Sequence, residues 1–157
     1  MVEVHLRPIT KENFDECVVL SVAPNQGHLV ASNLKSLAQA YVHENYLPWG
    51  VYDAAVRGYE LPNGPMVGFV MVELTAGVGF IQRLMIDERY QRRGYGRATM
   101  IEVIRRLRLM PEVELIAVSY LRQNVAAARL YERLGFVPWE IEWARNHPTD
   151  IYVKLEE

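Results

Sequence analysis

The chain has 157 residues, half of them hydrophobic and 23% charged, with a formal net charge of −2 and a single cysteine, Cys17. That is the make-up of one globular domain, 1–157, with a core of its own. The charge excludes bulk electrostatic binding to nucleic acid, the lone cysteine excludes an internal disulfide or a cysteine-rich zinc module, and no apolar run is long enough to span a bilayer. Nothing at the N-terminus reads as a signal peptide, so the expectation is a cytoplasmic protein.

Val2 to Arg7 alternates apolar and polar residues as a half-buried strand does. Pro8-Ile9-Thr10 ends it, with Thr10 placed to cap a helix. Phe14, Cys17, Val18 and Leu20 give that helix an apolar stripe, which makes Cys17 core filler rather than nucleophile. Pro24-Asn25-Gln26-Gly27 breaks the helix. A second one starts after Ser32, carries Leu34, Leu37, Ala38 and Tyr41 at helical spacing, and stops before Pro48. The polar loop between the helices is a candidate for substrate contact and equally an ordinary link.

Trp49 to Val56 reads as a strand and Arg57 to Pro65 as a turn region. Met66 to Leu74 is the antiparallel partner, and Thr75 to Gly77 turns into the strand Val78 to Ile86. The stretch from Gly79 to Ala98 then runs from this strand through a polar turn to Gly94-Tyr95-Gly96, where a helix begins. A glycine-containing loop at a helix start leaves backbone N–H groups unpaired at the positive end of the helix dipole. With Arg92, Arg93 and Arg97 beside it, such a loop suits a pyrophosphate.

The helix from Arg97 to Met110 carries an apolar face of Met100, Ile101, Val103, Ile104 and Leu107. Val113 to Ser119 is a strand and Asn124 to Leu134 a helix closed by Gly135; Val137 to Trp143 with Ile151 to Leu155 forms a last hairpin. The order β-α-α-β-β-β-α-β-α-β-β predicts an α/β (α+β) fold, a mixed sheet flanked by helices. The strands on either side of the Arg97–Met110 helix should be parallel, with ligand at their carboxyl ends.

Gln91-Arg92-Arg93-Gly94-Tyr95-Gly96-Arg97-Ala98 after one strand, and Asn124-Val125-Ala126-Ala127-Ala128-Arg129-Leu130-Tyr131-Glu132-Arg133-Leu134-Gly135-Phe136 after the next, together resemble the GNAT N-acetyltransferase superfamily. Its acetyl-coenzyme A loop has the form [Q/R]-x-x-G-x-[G/A], and its later helix the form N-x-x-A-x-x-L-Y-x-x-x-G-F. The resemblance implies a mostly antiparallel sheet and an acetyl-CoA-dependent enzyme acting on a small-molecule amine by direct attack on the thioester. The loop from Gln91 to Ala98, through Arg92, Arg93, Gly94, Tyr95, Gly96 and Arg97, would then hold the pyrophosphate. The backbone of Leu84, Met85 and Ile86 would pair with the pantetheine arm, which Asn124 would bind through its side chain. Tyr131 would be the general acid.

Acetyl transfer needs a neutral amine, and a primary ammonium of ordinary pKa ~10.4 costs roughly 4 to 5 kcal/mol to deprotonate at neutral pH. The resemblance implies a carboxylate base in the strand before the loop and a backbone N–H there for the oxyanion. This sequence departs from that pattern, because Gln82 stands where polyamine acetyltransferases carry an acid. Glu73 on the neighbouring strand is the substitute base, with direct loss to water as the other route.

The segments Val22-Ala23-Pro24-Asn25-Gln26 and MIDERYQRRGYG resemble bacterial spermine/spermidine or diamine acetyltransferases, whose substrates would want acidic walls. Glu44, Asp53, Glu73 and Glu140 are available for these. A different small amine or an aminoacyl N-terminus stays open, as does a non-catalytic coenzyme A-binding sensor. His5, His28, His43 and His147 lack the mutual spacing of a metal site, so no metal is expected. The resemblance also implies a possible homodimer, with the C-terminal strands as its edge.

Overall fold

The computed structural model describes residues 1–56 and 63–155, so most of the expected Arg57–Pro65 turn lies outside the described residues. The strands are β1 (Val4–Pro8), β2 (Tyr46–Asp53), β3 (Met66–Thr75), β4 (Val78–Ile86), β5 (Leu115–Leu121), β6 (Phe136–Pro138) and β7 (Asp150–Leu155). The helices are α1 (Phe14–Val19), α2 (Asn33–Val42), α3 (Tyr95–Arg108), α4 (Val125–Arg133) and α5 (Glu142–Arg145). Beyond the predicted order the described residues add the four-residue α5, inside the expected terminal hairpin, and two short 3-10 turns at Pro24–Gln26 and Glu88–Tyr90.

All seven strands form one sheet in the order β1-β2-β3-β4-β5-β7-β6. Every pairing is antiparallel except β4 with β5, the two strands joined through α3. The fold is therefore the expected mixed, mostly antiparallel sheet with helices against it.

Strand alternation splits the core in two. Val70, Val72 and Ile81 pack with Met100, Val103 and Leu107 of α3 on one face, whereas Phe69, Met71 and Met85 pack with Cys17 and Leu20 on the other. Gly68 is required where β3 passes β4, since a Cβ there would lie 2.6 Å from the Met85 carbonyl oxygen. Burial pushes the Cys17 thiol up to about 12, with the charge of Glu16 adding to it, so Cys17 is an inert core residue.

Two local expectations are corrected. Asn13, not Thr10, precedes α1: its Oδ1 accepts from the Thr10 N–H at 2.7 Å and its Nδ2 donates to the Pro8 carbonyl at 3.1 Å. On α2, capped by Ser32 as expected, the buried side chains are Asn33 and Ser36, while Leu34 and Tyr41 are 58% and 90% exposed. Of the expected stripe Leu37 packs against the core, with Ala40 beside it, and on the same inward side Asn33 Nδ2 donates to the Cys17 carbonyl at 2.9 Å.

The end of β4 is fastened by Asp87, which is 2% exposed. Its carboxylate accepts from the Ser21 N–H at 3.0 Å and from Arg89 through both N–H (3.0 Å) and Nε (2.8 Å). Burial alone would raise its pKa, but the bonds from Arg89 and Ser21 outweigh that and hold it below the usual carboxylate value. Because the folded pKa is the lower one, this stability is present above the unfolded Asp value near ~3.9 and is lost as pH falls through the folded value. Asp87→Asn should lower unfolding stability by about 1–3 kcal/mol at neutral pH, with the gap to wild type closing in acid, as urea denaturation at several pH values will show.

Candidate active site

β4 and β5 are paired only from Val78↔Leu115 to Ile81↔Val118. Beyond that, β4 stays with β3 and β5 with β7, and the two strands part. The opening is a cleft of about 790 Å³, floored by β4 from Ile81 to Ile86 and β5 from Val118 to Leu121 and walled by α4 and the loop before α2. The β5-facing backbone of β4 from Gln82 to Ile86 has no strand partner there, so an extended arm can add to it as a strand would.

The strands part at a β-bulge. Arg83 pairs with Met71 and Ile81 with Val72, so Gln82 is the extra residue. Gln82 Nε2 donates to the Tyr46 hydroxyl at 3.2 Å, while its Oε1 is buried with no partner among the described residues.

At the far end, the loop before α3 carries two left-handed residues, Arg92 at φ 63° and Gly94 at φ 90°. Gly94 caps a 14-residue helix without any side-chain bond, leaving first-turn amides for a ligand. A Cβ built on Gly94 or on Gly96 would meet no protein atom closer than 3.9 Å, so the space above both is open. Gln91 holds the loop in place, its Nε2 donating to the Ile86 carbonyl and to Gln26 Oε1, both at 2.9 Å. Tyr95 sends its hydroxyl to Asp53 at 2.6 Å.

Of the residues singled out from sequence, Leu84, Met85, Ile86, Gln91, Arg92, Gly94, Tyr95, Gly96, Asn124 and Tyr131 all border this cleft. Arg93, Arg97, Ala98 and Glu73 do not. Arg93 and Arg97 are exposed, and the Ala98 N–H is spent inside the helix on the Gly94 carbonyl at 3.1 Å. Glu73 Oε2 accepts from the Thr75 hydroxyl at 3.3 Å, away from the cleft. Nor do Glu44, Asp53 or Glu140 border it; Asp150, which sequence reasoning missed, is the one carboxylate among the described residues that does. Asn124 uses its Oδ1 to cap α4 by accepting from the Ala127 N–H at 3.2 Å, which leaves its Nδ2 for a ligand.

Tyr131 is 5% exposed, with the Tyr120 and Phe136 rings 5.7 and 5.8 Å away. Burial, helped by Tyr120, drives its phenol well above the ordinary value, so it stays protonated at neutral pH and has a hydrogen to donate. No group of three or more His, Cys, Asp or Glu able to hold a metal occurs among the described residues.

A sheet opened between two parallel strands, with an amide-lined loop at one end and a buried phenol at its wall, is built for a long phosphate-bearing ligand. The profile of the acetyltransferase (GNAT) domain matches residues 51–138. The spermine/spermidine N(1)-acetyltransferase of Bacillus subtilis is 30% identical over 141 residues, covering 85% of this chain and 87% of that one. Among solved structures, a domain from Methanocaldococcus jannaschii superposes with a TM-score of 0.73 at 17% identity over 99% of each chain. A GNAT family acetyltransferase from Elizabethkingia anophelis with acetyl-CoA bound does so at 0.64, with 17% identity, again over 99% of each. The last two likenesses are of fold. The chain belongs to the GNAT acetyltransferase family and is an N-acetyltransferase.

The Tyr95–Asp53 bond ties the first turn of α3 to the end of β2. It holds the Asp53 carboxyl low, through Tyr95 first and the Ala55 N–H second, and with burial it raises the Tyr95 phenol to about 12. Tyr95→Phe should cost about 1–3 kcal/mol and raise the Asp53 titration midpoint, read by denaturation and carboxylate NMR.

Proposed function

We propose that the protein moves the acetyl group of acetyl-CoA to a primary amine of a small molecule. The observation that carries this is the single cleft joining the Arg92–Gly96 loop, the unpaired stretch of β4 at Leu84–Ile86, the Gln82 bulge and Tyr131. Acetyl-CoA supplies an activated acyl group and a thiol leaving group.

The chain's own residues divide the remaining work. Amides at the start of α3 bind the pyrophosphate, supported by the Arg92 charge. The backbone of Leu84, Met85 and Ile86 and the Asn124 amide hold the pantetheine arm in an extended line, which brings the thioester to the bulge. Tyr131, protonated and buried, donates its hydrogen to the sulfur. Gln82 Oε1, a buried acceptor with no partner among the described residues, takes an N–H of the amine and orients its lone pair. An amide cannot remove the proton, so the proton leaves to water in the cleft.

Two tests follow. Thiol release from acetyl-CoA across a panel of amines should identify an acceptor; the name of the Bacillus relative puts spermine and spermidine in that panel. Tyr131→Phe should then lower kcat roughly 100-fold or more. Acetyl-CoA binding without turnover on any amine, or a phenylalanine variant of undiminished rate at every pH, overturns the reading. Gly94→Ala, forced into a left-handed conformation, should lose about 1–2 kcal/mol of stability and weaken coenzyme A binding measured by calorimetry.

A further inference from the structure

Among the described residues Arg83 has no counter-ion. It follows Gln82 in β4, borders the cleft and points to the α2 side of the sheet, where its Nη2 donates to Gln39 Oε1 at 3.1 Å. Its Nη1 donates to the Gln82 carbonyl at 3.1 Å, and its Nε is buried with no partner among the described residues. Both partners are neutral oxygens. The ion pairs among the described residues are Arg89–Asp87, Arg105–Glu102 and Arg106–Glu102, and none includes Arg83. Burial pulls its pKa down, with the Tyr46 phenol opposing.

Taking a guanidinium out of water is costly unless an anion repays it, and arginine's planar fork fits a carboxylate in bidentate fashion. The cleft supplies the access, and its other charged borders agree: Lys35 adds a cation from the start of α2 and Arg92 one at the far end, with His28 also on the border, against the single carboxylate of Asp150 among the described residues. The bulge puts Gln82 and Arg83 on the same side of the sheet, toward Tyr46 and Gln39. A group held by Gln82 Oε1 and a group held by Arg83 are thus neighbours on one small molecule.

We propose that Arg83 binds a carboxylate of the acceptor, so that the substrate class is free amino acids rather than polyamines. This rests on the reading of the cleft as an acetyl-transfer site. A polyamine would bring only positive charge to a wall that already carries Arg83 and Lys35, whereas an amino acid brings an amine for Gln82 and a carboxylate for Arg83.

The test uses acceptor pairs that differ only in the carboxylate, alanine against ethylamine and lysine against cadaverine, with kcat/KM followed by thiol release. A charge-assisted contact of this kind predicts a roughly 10- to 100-fold preference for the amino acid in each pair. In Arg83→Gln the amino acid should lose at least about tenfold more than its decarboxylated partner, and Arg83→Lys should restore part of the preference. Melting temperatures of both variants report whether they fold, and the wild-type preference needs no variant at all. Equal or better turnover of ethylamine and cadaverine overturns the inference alone, as does an equal loss on both members of a pair in Arg83→Gln. If none of these amines, nor spermine or spermidine, releases thiol, the acetyl-transfer reading fails and this inference with it.

Discussion

The structure depends on β4 having two strand partners over four residues and one over the rest. Pairing with β5 ends at Ile81↔Val118 while pairing with β3 continues to Gly68↔Ile86, with the Gln82 bulge where the change occurs. A fully paired sheet would bury that backbone and leave no cleft. A bulge locally disrupts the ladder and bends the strand, so one extra residue both opens the sheet and turns two consecutive side chains to the same side. The backbone left without a strand partner is a template for an extended ligand, with α4 as one wall of the gap.

The loop at the end of β4 is held from three directions. Asp87 gathers the Ser21 and Arg89 N–H groups, Gln91 bridges the Ile86 carbonyl to Gln26, and Tyr95 reaches Asp53. These bonds fix the left-handed residues Arg92 and Gly94, whose conformations would cost strain without support. An anion site made of backbone amides works only if the amides already converge, because ordering a loop upon binding would subtract from affinity.

Much of this was legible because helix starts and glycine loops are local in sequence. The strand Val78–Ile86 and the α4 cap at Asn124 follow directly from residue order. What sequence could not show is rotation and partnership. Of the expected α2 stripe of Leu34, Leu37, Ala38 and Tyr41, Leu37 packs on the core while Leu34 and Tyr41 point outward, and the buried side chains on the inward face are those of Asn33 and Ser36. Asp53 and Glu73 read as carboxylate walls for the substrate, and Glu73 also as the substitute base, yet one is bound by Tyr95 and the other lies beside Thr75. The bulge is invisible in a single chain, since it is a property of two strands, and with it the pairing of Gln82 and Arg83 on one side.

That pairing changes what the departure at Gln82 means. A carboxylate there would attract an ammonium and then accept its proton, tying recognition to deprotonation. With an amide at that position and a guanidinium beside it, the two tasks separate. On the proposed reading the guanidinium meets the substrate's carboxylate and so cancels an anion that would otherwise favour the protonated amine. Without that anion the same cation would repel the ammonium of an incoming substrate. Arg83 therefore selects an acceptor by its carboxylate but does not stand in for the base, and the roughly 4 to 5 kcal/mol needed to deprotonate a primary amine at neutral pH is met by loss of the proton to water.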